Sequence, residues 1–318
     1  MYRSAPHLEE FYERIRTAAA RLTDEYEILL VNDDSPDNSL EIALSLFRRD
    51  PRVRVIDLAR NFGHHKAMMT GLAKADGDLV FLIDSDLEEE PELLTLFHDR
   101  LRSTGADVVY GVQTERRGDL LERIGGWLFF RIFNALSNWP IAANLVTVRL
   151  MTRRYVAALV EHRERETMIA GLWAITGFQQ VPLPIHKHSH SASTYRLSHK
   201  MAILVNSLTS FSDKPLVLIF YLGLAIVCLA SLAAAYLVVR RLFFGVLLAG
   251  WPSLIVSVWL LGGLTLFCLG IIGIYLSKVF LETKQRPYTI IRETYERTPR
   301  SEHAEVPPDA RDRRSVLH

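Results

Sequence analysis

The 318-residue chain has little cysteine and almost no net charge. Cys228 and Cys268 are its only two cysteines, and both lie in apolar stretches. Without a disulfide framework, the polar part of the chain is expected to fold on the reducing side of a membrane. The 37 basic residues balance 36 acidic ones. Because this balance creates no broad basic field, nucleic acid is not expected as a partner.

The first residues also lack an apolar leader, so a cleaved secretion signal is not expected. Long uncharged runs occur instead near the other end of the chain. Pro215–Val239 holds 25 residues without a charge. At about 1.5 Å per residue this run would reach about 37 Å, enough for a bilayer core of about 30 Å. A second uncharged run, Leu242–Ser277, is broken at 250–253. The sequence therefore predicts two transmembrane helices, about 215–239 and 254–277.

Basic residues predict the orientation of this hairpin. Its outer ends are flanked by Lys214, Lys278, Lys284 and Arg286, whereas only Arg240 and Arg241 lie in the connection. Since cytoplasmic loops carry an excess of lysine and arginine, the outer ends are expected in the cytoplasm. Two spans return the chain to its starting side, so the polar domain is expected there too.

Strands and helices alternate along the first part of the chain. Apolar runs predict strands at 27–31, 53–58, 79–83 and 107–112, and apolar residues at helical spacing predict helices at 6–22, 40–49, 66–75 and 92–101. Asn38 or Ser39 is expected to cap the second helix. Further on, a helix is expected at 150–161 and extended pieces at 169–175 and 179–183. This alternation predicts an α/β class with a mostly parallel sheet.

The strand predicted at 79–83 ends in the acidic sequence Asp84-Ser85-Asp86, and Glu88 follows closely. Ligands of open α/β sheets bind beyond the carboxyl ends of the strands. Residues two apart on a strand project to the same side, so Asp84 and Asp86 could converge on one ligand. Hard oxygen ligands of this kind suit Mg²⁺ or Mn²⁺. The alternative is an acidic loop that only caps a strand.

Two further segments have an amphipathic pattern. Leu120–Leu136 combines tryptophan, phenylalanine and arginine, which is typical of a helix at a membrane interface. The alternative is a core helix of the same domain. His199–Phe211 is a second amphipathic helix, directly before the first long apolar run. The charged, proline-containing end of the chain, from about 298, is predicted to be disordered.

Five sequence segments occur in a specific order: V-N-D-D-S-P-D-N-S (31–39), A-R-N-F-G-H-H-K-A (59–67), D-G-D-L-V-F-L-I-D-S-D-L-E-E-E-P-E (76–92), V-R-L-M (148–151) and S-F-S-D-K-P-L (210–216). In this combination, over roughly residues 2–295, the chain resembles bacterial polyprenyl-phosphate glycosyltransferases. These form the dolichol-phosphate-mannose-synthase-like group of glycosyltransferase family 2. The resemblance implies a GT-A-type doubly wound sheet followed by a two-helix transmembrane hairpin.

The resemblance also implies an activity and its partners. These are a nucleotide-sugar donor, Mg²⁺ or Mn²⁺, membrane lipid, and a polyprenyl (undecaprenyl) phosphate acceptor, with inversion at the anomeric carbon. Members are often homo-oligomers, and the expected location is the bacterial inner (cytoplasmic) membrane, multi-pass, with a cytoplasmic catalytic domain. The domains expected are a GT-A domain over 1–196 with its interfacial helix at about 120–136, a juxtamembrane helix over 197–213, two transmembrane helices within 214–280, and a cytosolic tail over 281–318.

The resemblance assigns donor and metal roles. Asp33 corresponds to the aspartate that recognises the nucleotide base, and Asn61 lies in a second donor loop. Asp84 corresponds to the carboxylate near the ribose and diphosphate, and it is also a candidate metal ligand. Asp86 corresponds to the principal metal ligand and is assigned to catalysis. Glu88 stands where the family commonly has a glutamine that touches the metal.

The resemblance also assigns acceptor roles. Arg149 corresponds to a catalytic arginine that meets the acceptor or donor phosphate. Tyr195 belongs to the flexible acceptor loop, and Arg196 and Lys200 are candidates to hold the acceptor phosphate. A phosphate monoester has a second pKa of about 6 and is largely an anion at neutral pH. Such a nucleophile needs positioning more than a general base.

The chain departs from the family pattern at several positions. The family's first strand, with its Pro-x-Tyr-Asn ending, is missing, and Tyr2 is interpreted as its remnant. Thr147 stands in place of an aspartate, Gln113 in place of an arginine, and Asp34 in place of the usual glycine. These departures leave two alternatives open: a degenerate member that acts as a membrane scaffold, or a transferase with another acceptor in polysaccharide synthesis. A processive synthase is disfavoured because the Gln-x-x-Arg-Trp segment of that class is absent.

Overall fold

The structure is a computed structural model. It describes residues 1–113, 131, 135, 144–162, 164, 169–186, 209, 212–244 and 250–297. Several sequence predictions fall wholly or largely outside these residues. They are the interfacial helix at about 120–136, the juxtamembrane helix over 197–213, the acceptor residues Tyr195, Arg196 and Lys200, and the tail from 298.

The described chain contains eight helices and seven strands. The helices are α1 (Leu8–Ala20), α2 (Ser39–Arg49), α3 (His64–Lys74), α4 (Leu93–Thr104), α5 (Arg153–Val160), α6 (Ile169–Ile175), α7 (Lys214–Phe244) and α8 (Trp251–Thr283). The strands are β1 (Ile28–Asn32), β2 (Val53–Leu58), β3 (Leu79–Leu82), β4 (Val108–Gln113), β5 (Leu145–Thr152), β6 (Gln180–Ile185) and β7 (Ile291–Tyr295). The strands and helices predicted up to residue 112 are all confirmed, with bounds that shift by only a few residues.

The strands form two sheets, ordered β1-β2-β7 and β3-β5-β4-β6. β1 runs parallel to β2 and β4 runs parallel to β6, whereas the other three ladders are antiparallel. The prediction of a mostly parallel sheet was therefore wrong, because β5 and β7 enter antiparallel to their neighbours. Helices still cover both faces, since one buried cluster involves α1, α2 and α4 and the other involves α3, α5 and α6. This two-sided cover is the doubly wound α/β arrangement expected from the sequence.

Between residues 145 and 175, the predicted helix at 150–161 is confirmed with a later start, and the predicted extended piece at 169–175 was wrong. The helix expected from residue 150 begins only at Arg153, because Leu145–Thr152 forms β5 between β3 and β4. The extended piece expected at 169–175 is instead the helix α6, which buries Leu172 and Trp173. Short apolar segments have no clear period, so burial on both sides, rather than local pattern, decides their conformation.

A cavity of about 960 Å³ separates β1 from β3. Ile28–Val31 and Leu79–Ile83 line it, and the described strands form no ladder across it. β3 was predicted to be buried, but Leu79 is 39% exposed because that edge of β3 faces the cavity. At one end, the amine of Met1 donates to the Val31 carbonyl (2.6 Å) and the Met1 carbonyl accepts the Asp33 N–H (3.1 Å). These two bonds place Met1 opposite Asn32 in the pattern of a parallel ladder, at the place where the family's first strand was expected.

The C-terminal helices are apolar and their side chains are largely exposed. Among the described residues, one segment, Ser257–Thr283, is long and apolar enough to cross a membrane, with 27 residues and a mean hydropathy of 2.1. The corresponding apolar part of α7 is shorter, Lys214–Ala230, so the second predicted span stays a prediction. After α8 the chain returns to the first sheet, where β7 pairs with β2.

Candidate functional site

The first part of the site lies where β1 and β2 end. Asp33 follows β1 directly and is only 3% exposed. Its two carboxylate oxygens accept the backbone N–H groups of Phe62 (2.7 Å) and Gly63 (3.0 Å) in the loop after β2. Gly63 has φ +97°, a conformation that glycine adopts readily. The predicted donor residues Asp33 and Asn61 therefore belong to loops that are hydrogen-bonded to each other, and Asn61 is exposed.

Residues 3–5 are hydrogen-bonded to the loop between β1 and α2 and to the start of α2. The N–H groups of Arg3, Ser4 and Ala5 donate to the side chains of Ser35, Ser39 and Asp37. The Asp37 carboxylate also accepts the hydroxyl groups of Ser35 and Ser39 and the N–H of Ser39. Asn38 stands at the N-cap position of α2 as expected, but its side chain makes no cap hydrogen bond. The Asp37 carboxylate instead accepts the Ser39 N–H at the start of the helix.

Asp37 has a strongly perturbed acidity. Its partial burial favours the neutral form, but hydrogen bonds from Ser35 and Ser39 outweigh burial and lower the pKa of Asp37 to about 2. An unperturbed aspartate has a pKa of about 3.9. The carboxylate therefore stabilises the fold fully above about pH 4, and this contribution is lost as the pH falls toward 2.

Replacing Asp37 by asparagine is expected to lower the free energy of unfolding at pH 7 by about 1–3 kcal/mol, because buried donors lose a charged acceptor. Thermal unfolding in detergent measures this loss. The difference in melting temperature between Asp37→Asn and the wild type should become smaller as the pH falls below about 4. Asp24→Asn, at an exposed position before β1, is the matched control. A difference in melting temperature that stays constant down to pH 2 would contradict the stabilising role of the Asp37 carboxylate.

The second part of the site is the acidic loop after β3. Asp84 is partly buried, with one oxygen 3.4 Å from Nε2 of His64. Asp86 is exposed, and its Oδ1 accepts the N–H of Glu88 (3.0 Å). Leu87 has φ +58°, which is unfavourable for a leucine. Such strain is often found in functional loops. His64 was not among the site residues predicted from the sequence, although its position at the start of α3, within N-F-G-H-H, was a usable signal.

The acidic loop can supply part of a metal site. Among the described residues, no group of three or more histidine, cysteine, aspartate or glutamate side chains is arranged to hold an ion. The predicted trio Asp84, Asp86 and Glu88 is therefore not preassembled. Mg²⁺ is usually held by one or two carboxylates together with substrate phosphates and water. Asp84 and Asp86, at the mouth of the cavity, fit this donor set.

Arg149 lies in the protein interior, on β5 between Leu82 of β3 and Tyr110 of β4. It is 1% exposed, and its guanidinium donates to the carbonyls of Thr147 (3.2 Å) and Val146 (3.3 Å) and stacks over Trp173. Burial lowers the pKa of Arg149 to about 9, so the side chain is still a cation at neutral pH. The sequence predicted a phosphate ligand here, whereas these contacts join Arg149 to its own strand and to α6.

The chain is similar to several known proteins. A Mycobacterium tuberculosis (strain CDC 1551 / Oshkosh) protein with a glycosyltransferase name is 58% identical over 295 residues, 93% of this chain and 86% of that protein. The bactoprenol glucosyl transferase of Shigella phage SfII is 30% identical over 293 residues, 91% of this chain and 94% of that protein. The solved structure of M. tuberculosis glucosyl-3-phosphoglycerate synthase is 16% identical, with a TM-score of 0.42, over 66% of this chain and 76% of that one.

The family model "Glycosyl transferase family 2" matches residues 1–159, which contain the Asp33 loop and the acidic loop. The chain belongs to glycosyl transferase family 2. It is a glycosyltransferase with an α/β domain, and its relatives include proteins named bactoprenol glucosyl transferase.

Proposed function

We propose that the chain transfers a sugar from a nucleotide-sugar donor to a polyprenyl phosphate such as undecaprenyl phosphate. The observation that carries this proposal is the 30% identity to the phage bactoprenol glucosyl transferase over 91% of this chain. A continuous match of that extent includes both the acidic loop and α8. The alignment with a protein named for bactoprenol thus spans the acidic loop and the apolar C-terminal helix of this chain, and this supports the proposal.

The donor would bind at the carboxyl ends of β1 and β3, where open α/β sheets hold their ligands. Asp33 and Asn61 would contact the base side of the nucleotide, and Asp84 the ribose and diphosphate. Asp86, with Asp84 and Glu88, would hold Mg²⁺ or Mn²⁺, whose charge would offset the negative charge that grows on the departing diphosphate.

The acceptor would bring its own nucleophile. An oxygen of the polyprenyl phosphate forms the bond to the anomeric carbon while the bond from that carbon to the nucleoside diphosphate breaks. A single displacement of this kind inverts the anomeric configuration. Since the acceptor phosphate is already an anion, the enzyme has to position it and neutralise its charge. Arg149, Tyr195, Arg196 and Lys200 are the residues assigned to this task.

The location follows from the acceptor. A prenyl chain resides in the bilayer, so α8 and the predicted span in α7 would hold the domain at the inner-membrane surface. The basic residues at the outer ends of the predicted hairpin support a cytoplasmic position for that surface. A homo-oligomer is proposed on the family tendency alone.

A label-transfer assay tests the proposal. Detergent-purified protein is incubated with Mg²⁺ or Mn²⁺, undecaprenyl phosphate and a panel of radiolabelled nucleotide sugars. Label that enters the organic phase from one donor, and is lost with chelator, is expected. If no donor labels the lipid, the polyprenyl acceptor is refuted. Label on a polysaccharide primer would then indicate another acceptor, and no label on any acceptor would indicate a scaffold.

The role of Arg149 can be separated from its structural contacts. Arg149→Met keeps most of the side-chain volume and removes a buried charge, so the melting temperature should change little. If the guanidinium meets a phosphate during turnover, kcat/KM should fall by about a hundredfold or more. Arg154→Met, at a site where the arginine is 69% exposed, is the control and should retain activity. Full activity in Arg149→Met would remove this residue from the catalytic set.

A further inference from the structure

The chain that leaves the apolar helix α8 runs directly to the donor side of the domain. α8 ends at Thr283 and β7 begins at Ile291. The end of this short connection next to β7 is held in place, because Thr289 shares a hydrogen bond with Thr70 of α3 (2.8 Å) and the Ile290 carbonyl accepts the Ala59 N–H (2.9 Å). β7 then pairs antiparallel with β2, so its first residues lie at the carboxyl end of β2. That end carries the loop whose N–H groups bind Asp33.

A β-bulge directs one side chain of β7 toward this loop. The register shifts between Asp57 and Leu58, and Arg292 is the residue of β7 that is skipped in the pairing. Bulges commonly reorient a side chain next to a functional site. Arg292 donates to Asp57 (3.0 Å), to Asp34 (3.0 Å) and to the Ala59 carbonyl (2.9 Å). The guanidinium of Arg292 thus connects the carboxyl ends of β1 and β2, next to Asp33.

The two carboxylates bound by Arg292 are themselves built into the loops. Asp57 is buried, and its other oxygen accepts the side-chain amide of Asn32 (2.8 Å), the residue before Asp33. Asp34, the residue after Asp33, has φ +50°. Because a side chain makes this conformation unfavourable, the ion pair with Arg292 offsets a backbone cost next to Asp33. Both neighbours of Asp33 are therefore linked to Arg292: Asp34 directly, and Asn32 through Asp57.

We propose that Arg292 is a positioning residue of the nucleotide pocket. It holds the Asp33 loop in its binding conformation through Asp34 and Asp57, and it couples that loop to the segment leaving α8. The inference rests on the proposed function, since it takes Asp33 to be a donor contact. In this proposal Arg292 does not contact the donor and acts only through Asp34 and Asp57. Its loss is therefore expected to weaken nucleotide binding without slowing the chemical step.

Nucleotide binding to the full-length protein in detergent tests this role, with UDP and GDP as probes. Arg292→Gln should weaken the binding of whichever nucleotide the wild type binds by about tenfold, the scale of one lost charge-assisted contact. With the donor found in the transfer assay, KM should rise while kcat stays within about twofold. Arg292→Lys should recover part of the affinity, because a single ammonium cannot reproduce the planar fork.

A matched control separates positioning from simple stabilisation of β7. Glu296 pairs with Arg54 (2.8 Å) at the opposite end of the β2–β7 ladder. Glu296 is the residue directly after β7, and Glu296→Gln removes an ion pair from the far end of the ladder. It should therefore change the melting temperature as Arg292→Gln does but leave nucleotide affinity unchanged. Equal effects of both variants on affinity would overturn the positioning role.

Asp34→Gly guards against a misfolded Arg292 variant. It removes the carboxylate but relieves the left-handed backbone, so stability should be kept while affinity falls. The double variant Asp34→Gly/Arg292→Gln should then lose less affinity than the sum of the single losses. Additive losses, or unchanged affinity in Arg292→Gln, would refute the inference alone. A wild type that binds neither nucleotide would instead refute the proposed donor pocket, and the inference with it.

Discussion

Replacing Asp86 by alanine is expected to reduce metal-dependent sugar transfer by at least about a hundredfold to a thousandfold. Asp86 is exposed at the mouth of the cavity between β1 and β3. Its carboxylate is the assigned metal ligand, and alanine offers no oxygen in its place. Without a cation, the charge on the departing diphosphate would be left uncompensated in the transition state. The lipid-extraction assay measures the loss directly.

The fold should survive this change. Within the part of the chain that the structure describes, the Asp86 side chain accepts one hydrogen bond, from the N–H of Glu88. We therefore expect Asp86→Ala to insert into membranes and to unfold at nearly the wild-type temperature. Asp99→Asn, at a carboxylate that is 72% exposed on α4, controls for loss of surface charge and should transfer normally. If Asp86→Ala turned over at the wild-type rate, the enzymatic assignment of the acidic loop would have to be abandoned.

Filling the cavity between β1 and β3 with a strand is expected to raise the melting temperature by about 5–10 °C or more, for a net gain of about 2–5 kcal/mol. A designed segment of five alternating β-branched residues, joined ahead of Met1, would continue the parallel pairing that Met1 makes with Val31 and Asp33. Its backbone would satisfy groups along the facing edges of β1 and β3. Its side chains would bury against Leu30 and Phe81, which line the cavity.

The added segment has a second stabilising effect. Burial lowers the pKa of the Met1 amine, because a charged amine is poorly solvated there, although Asp84, Asp33 and Asp37 oppose the shift. Extension replaces this amine by a neutral peptide group that can still donate to Val31. The matched control is a Gly-Ser segment of the same length, which should leave the melting temperature nearly unchanged. Equal stabilisation by both segments would show that the cavity does not select a strand.

Local pattern was a good guide to elements with a clear period. β2 has the predicted bounds, and α1 buries Leu8, Phe11 and Ile15, which have the helical spacing from which this helix was predicted. The same logic placed Asp33 and Asp84 directly after strands. It failed for β5 and α6, because a short apolar segment satisfies both templates and only its neighbours decide between them.

Long-range contacts lay beyond any local signal. The pairing of β7 with β2 joins residues more than two hundred positions apart, and the Arg292 contacts with Asp57 and Asp34 exist only because of it. The contact of His64 with Asp84 and the capping of α2 by Asp37 likewise depend on how loops meet.

By itself the sequence determined the α/β class, the order of the early elements, the acidic strand end and the apolar C-terminal region, because these depend on residue type and spacing. The tertiary structure decided which strands pair, where the open edge lies, and whether a charge faces solvent or core. Arg149 shows the difference, since its local sequence does not indicate whether its side chain lies inside or outside the domain. Burial on the Trp173 side is a property of the packed sheet, and strand pairing is set by contacts that no single segment contains.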